Sequence, residues 1–107
     1  MAEFILHQQM LPAPELIQAM TGSSVLIGTL LHPAVKIILD NQSTSSVVLS
    51  TSNDGGQTFI QFKTFSPGEA LVLDDDLYTF LKGTAFYGNG AATGSFSISY
   101  TYINYPS

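Results

Sequence analysis

From residue 35 onward, apolar and polar residues alternate in short runs separated by clusters of Gly, Pro, Asn, Asp and Ser. Period two marks a half-buried strand, because successive side chains point to opposite faces. Val35, Ile37 and Leu39 alternate with Lys36, Ile38 and Asp40. Asn41 to Ser46 is polar and reads as a turn, and Val47 to Thr51 as the next strand. Asn53-Asp54-Gly55-Gly56 predicts a tight hairpin turn, since these residues tolerate positive φ. Thr58 to Phe62 then returns as a strand. Ser66-Pro67-Gly68 is a turn into a short strand at Leu71, Val72 and Leu73. Asp74 to Leu81 reads as a loop or a single helical turn, Ala85 to Tyr87 as a strand, and Gly88 to Gly94 as a Gly-rich hairpin loop. The last strand has the clearest alternation: Phe96, Ile98, Tyr100 and Tyr102 point one way, Ser95, Ser97, Ser99 and Thr101 the other. The expected core is Val47, Leu49, Ile60, Phe62, Leu71, Leu73, Phe86, Phe96, Ile98 and Tyr100.

Residues 1–34 have a different pattern. Phe4, Ile5 and Leu6 read as a short strand or extended arm. Pro14 suits the first position of a helix, where its missing N–H costs nothing, and Glu15 suits the helix dipole. Leu16, Ile17 and Met20 form one apolar stripe and Gly22 a stop, so a helix of about two turns is expected. Val25 to Leu31 is apolar, and its β-branched content favours strand. The chain therefore reads as all-β with one short N-terminal helix. Short strands with turns every 8 to 12 residues or so suit a sandwich or a barrel. The reading adopted is an antiparallel β-sandwich, jelly-roll-like, over 35–107, preceded by an N-terminal arm with a short helix over 1–34.

The arm carries Phe4, Ile5, Leu6, Met10, Leu11, Leu16, Ile17 and Met20. Burying them is worth on the order of 10 kcal/mol. Ordering roughly twenty residues costs as much or more. The arm is therefore expected to order against another subunit, with these residues and the exposed Tyr105 forming the interface.

Composition sharpens this picture. The chain's 107 residues fit one domain, and 10% of them are charged, against about 25% in an ordinary soluble domain. Interface cores are depleted in charge, so a charge-poor surface suits one covered by neighbours. Net charge is −5, with Lys36, Lys63 and Lys82 the only basic side chains besides two histidines. Three scattered lysines cannot form the basic patch that nucleic acid or an anionic membrane requires. Without cysteine, disulfides, thiolate metal sites and cysteine nucleophiles are excluded. Met1 to Gln9 lacks the pattern of a secretory signal, and no apolar run is long enough to span a bilayer. Asn41-Gln42-Ser43 matches the glycosylation pattern, but a match this short arises by chance.

Candidate chemistry is sparse. His7 and His32 have no partner by spacing. Asp74-Asp75-Asp76 alternate in direction and lack the Gly and distal Glu of a calcium loop. The plain reading is a solvated loop with one Asp capping a turn. Gly88-Asn89-Gly90 and Gly94 lead into a strand, whereas phosphate cradles lead into a helix. Ser24, Ser43 and the other serines lack a nucleophile-elbow pattern. No enzyme, cofactor or metal is expected. Of Tyr78, Tyr87, Tyr100, Tyr102 and Tyr105, the third reads as core and the last as exposed.

Four stretches together resemble small virion structural proteins of tailed bacteriophages. They are Ile37 to Ser43, Val47 to Gly55, Phe65 to Asp74, and Lys82-Gly83-Thr84-Ala85-Phe86-Tyr87 with Gly94 to Tyr100. The shared order is a strand ending in Asn, a strand with an Asp-Gly turn, a Pro-Gly turn into a strand ending in Asp, then Lys-Gly-Thr and a Ser-rich strand. The likeness covers roughly 35–103 and carries no catalytic or binding residue. It implies a β-sandwich in the virion: a head decoration, or a vertex, neck or tail component. Its partners would be other virion proteins and copies of itself in a homo-oligomer, with no nucleic acid or membrane. The alternative is a carbohydrate-binding β-sandwich module on a fibre or cell surface, using tyrosines near 53–56 and 88–94.

Overall fold

A computed structural model describes the backbone of residues 9–74 and 80–104 and the side chains of 11–74 and 80–103. The described residues form nine strands: β1 (Gln9–Pro12), β2 (Leu16–Ala19), β3 (Ser24–Thr29), β4 (Lys36–Asn41), β5 (Val47–Ser52), β6 (Ile60–Phe65), β7 (Ala70–Leu73), β8 (Ala85–Gly90) and β9 (Ser95–Asn104). Sheet A has the order β1-β9-β4-β7, with β2 also on β9, and sheet B the order β3-β8-β5-β6. Every pairing is antiparallel. Strand β2 pairs β9, β3 pairs β8, β4 pairs β7 and β5 pairs β6. These nested pairs are one long hairpin wrapped into two sheets, the jelly-roll form of the β-sandwich.

The helix expected over residues 14–22 is corrected to strand. Leu16, Ile17 and Met20 fit a helical stripe, but a two-turn helix has too few hydrogen bonds to offset its nucleation. The segment instead uses the open edge of β9, with Leu16 opposite Ile98 and Gln18 opposite Phe96. Met20 N–H then donates to the Gly94 carbonyl at 2.9 Å. Pro14 lies in the break between β1 and β2. There residues 13–15 face only Ser99 and Tyr100, since Pro12 pairs Thr101 and Leu16 pairs Ile98. This one-residue bulge accommodates a proline that has no N–H for a ladder. Residues 9–29, placed by sequence in the arm, thus supply three strands to the two sheets.

The core lies between the sheets. Val47, Leu49, Leu73, Phe86, Phe96, Ile98 and Tyr100 are buried as expected, together with Ile27, Leu30, Ile37, Leu39 and Phe65. The Phe65 and Phe96 rings meet edge-on at 5.1 Å. Phe62 and Leu71 are half-buried, and Ile60 is corrected to the surface at 68% exposure. The register puts it in the inward row opposite Thr51, but it is the first residue of the edge strand β6, so this corner of the sheet stays open to water.

Two turns also differ from expectation. The run 53–56 is part of a longer connection, 53–59, between β5 and β6. Strand β8 continues to Gly90, so the Gly-rich loop shrinks to 91–94. Gly90 suits a strand here because a Cβ would lie 2.8 Å from the Ser46 carbonyl oxygen. Most of Asp74 to Leu81 lies outside the described residues.

Candidate functional site

Of the residues singled out by sequence, Phe4, Ile5, Leu6, His7, Asp75, Asp76, Tyr78 and Tyr105 lie outside the described residues, as does the side chain of Met10. Leu11 is half-buried. Leu16 packs against the core, and Met20 is inside it at 3% exposure. Ile17 alone of this set stands well out, 53% exposed. The fold itself takes up Leu16 and Met20, because alternation along β2 turns Leu16 inward and Ile17 outward.

His32 stacks flat on Tyr102, with ring centroids 3.8 Å apart and planes 7° apart. The Tyr100 hydroxyl accepts from Leu31 N–H at 3.2 Å. Both tyrosines thus anchor the 30–35 connection. Among the described residues no three His, Cys, Asp or Glu side chains converge. Two carboxylates, Asp54 and Glu69, hold loops. The Asp54 carboxylate accepts from Ser52 Oγ at 2.8 Å, Gln57 N–H at 3.1 Å and Thr58 N–H at 2.9 Å, as well as from the Thr58 hydroxyl. The Thr58 hydroxyl, first among these donors, holds the Asp54 pKa down to about 2. Glu69 accepts from Ser66 N–H at 2.9 Å and pairs with Lys63 at 3.1 Å, which lower its pKa.

What remains are the two outer sheet faces. On sheet A the register aligns Ser99, Ile38 and Val72 in one row, and Ile17, Ser97, Asp40 and Ala70 in the next. Gln42 covers part of it, donating to Ser97 Oγ at 3.2 Å and Asp40 Oδ2 at 3.1 Å. A groove of about 320 Å³ lies where β1 and β2 separate, between Pro12, Ala13, Lys36, Ile38, Ser99 and Thr101. The buried Thr101 Oγ1 has no hydrogen-bond partner among the described residues.

On sheet B one row runs Leu26, Tyr87, Ser50, Gln61 across all four strands, and the next runs Ser24, Asn89, Val48, Thr64. The 53–59 connection folds over one end. Its Phe59 meets Tyr87 edge-on, at 4.9 Å and 88°. Gly56 permits this closure: its φ is 90°, and a Cβ there would lie 2.8 Å from the Tyr87 hydroxyl. Leu26 remains 46% exposed and Phe59 49%. Composition hinted at such surfaces, but which residues share them depends on long-range register.

No family model matches the chain, and no curated protein matches it. A chain from the Bacillus endospore appendages, described as a novel family of disulfide-linked pili, is similar in structure. The TM-score is 0.53 over 89% of this chain and 88% of that one, at 11% identity. The two chains share a fold. The match is to an appendage component rather than to a virion protein. The disulfide linkage has no counterpart here, because this chain has no cysteine.

Proposed function

We propose that the chain is a non-enzymatic structural subunit that assembles by packing against copies of itself. The observation that carries this is the pair of outer faces, where Ile17, Ile38 and Val72 on one sheet and Leu26 on the other, with Phe59 packed against the neighbouring Tyr87, stand exposed on a chain only 10% charged. Burying such side chains between subunits releases water from apolar surface. The shared fold with an endospore-appendage chain favours an extracellular polymer. The strand-and-turn resemblance to tailed-phage proteins favours the virion, as a head decoration or a head–tail or tail component. Phe4, Ile5, Leu6, Met10, Leu11, Ile17 and Tyr105 belong to the contacts in this reading. Immunogold labelling of virions and cell surfaces from the source, with an antibody to this chain, separates the settings. Regularly spaced label on one of them is expected, and label confined to the cell interior contradicts the proposal.

A second reading is a carbohydrate-binding module. It rests on Tyr87 and Phe59 beside Asn89 and Gln61, an aromatic surface with amides close by. A glycan array with no binding removes it.

A further inference from the structure

We propose that two copies of this chain meet face to face through the outer surface of sheet B, with Leu26, Tyr87 and Phe59 at the centre of the contact. This rests on the proposed function above and assigns it a surface.

The chain carries −5, so two copies repel, and buried like charges would be costly. None of the eight side chains in the two outward rows of sheet B is charged. The outward rows of sheet A, by contrast, hold Lys36 and Asp40. The charges closest in sequence to the sheet B contact are Lys63, which pairs off the outward rows opposite Leu49 and is neutralised by Glu69 at 3.1 Å, and Asp54, whose carboxylate is engaged by its own loop. Sheet B is therefore the face on which two copies can close without burying a charge against its like.

An aromatic and aliphatic centre with a neutral polar surround is the anatomy of a protein contact. Leu26 and Tyr87 are cross-strand neighbours, and Phe59 packs edge-on against Tyr87. Ser24, Asn89 and Gln61 surround them with hydrogen-bonding groups.

Area sets the strength. Four strands about 4.8 Å apart, each about 20 Å long, give a footprint of roughly 300–400 Å². That is below the roughly 800 Å² per partner of a standard stable interface. The contact is therefore weak alone and gains strength when other contacts repeat it in an assembly.

Sedimentation equilibrium of the full chain tests this with two variants, Leu26→Lys and Asn89→Lys, and with Leu81→Lys, 68% exposed on the connection before β8, as control. All three positions are exposed, and thermal melts check that each variant is folded. The expected result is that both sheet B variants weaken self-association at least tenfold, while Leu81→Lys changes it less than threefold. If the wild type associates and the sheet B variants associate equally well, the face is wrong and the structural-subunit reading stands. If the wild type never associates, that reading falls and takes this inference with it. Glycan binding lost in Asn89→Lys, with association unchanged, assigns the face to a sugar and overturns the proposal.

Discussion

The side-chain amide of Asn41 donates to the carbonyl oxygen of Ser66 at 3.0 Å, joining the end of one strand to a turn 25 residues away. The same nitrogen reaches the Ser45 carbonyl at 2.9 Å, and Oδ1 accepts from Ser43 N–H at 3.1 Å and Ser43 Oγ at 2.7 Å. Asn41 is fully buried. One side chain thus holds both the β4–β5 and the β6–β7 connections. Asn41→Ala would leave several carbonyls and a hydroxyl short of partners, at about 1–3 kcal/mol for a buried group left unmade. The expected loss is about 2–4 kcal/mol in a urea melt. A loss below about 0.5 kcal/mol would show that water replaces the amide.

Phe96 is completely buried and lies edge-on to Phe65. It sits on β9, which pairs with β1, β2 and β4 and so holds sheet A together. Phe96→Ala is expected to cost about 3–5 kcal/mol by removing the ring and leaving a cavity. A denaturant-melt loss under about 0.5 kcal/mol would contradict this inward assignment.

These two residues also show how far the sequence could be read. The alternation Phe96, Ile98, Tyr100 is long enough to display period two, and the inward face of β9 follows directly from it. Asn41 looked like an ordinary turn residue, because its partners lie as far away as Ser66 and no local pattern joins them. Strand β2 is four residues long, too short to separate period two from period 3.6. Its partner, residues 95–98, is distant in sequence, so only the open edge of β9 decides its state. Ile60 differs from expectation for a similar reason: that it begins a strand at the edge of sheet B is set by long-range pairing and not by local pattern. The outer faces were legible as a shortage of charge, but not as particular rows of residues.

Asp54 gives a prediction in pH. Its folded-state pKa is lowered to about 2, first by the Thr58 hydroxyl, then by the Thr58 N–H and by Ser52. A lowered folded pKa means that the ionised form supports the folded loop. That support is complete above the unfolded value of about 3.9 and is lost as pH falls through about 2. An NMR titration of the Asp54 carboxyl carbon should show a midpoint near 2. Thr58→Val should move it upward. A midpoint near 4 in the wild type would mean that the hydroxyl contact does not form in solution.

The proposed role is association of the chain with its own copies, without disulfides. Sedimentation velocity over a wide concentration range, repeated with and without a thiol reductant, measures it. The expected sedimentation coefficient rises with concentration, identically under both conditions, because the chain has no cysteine. A single 11.5 kDa species at every concentration would contradict it.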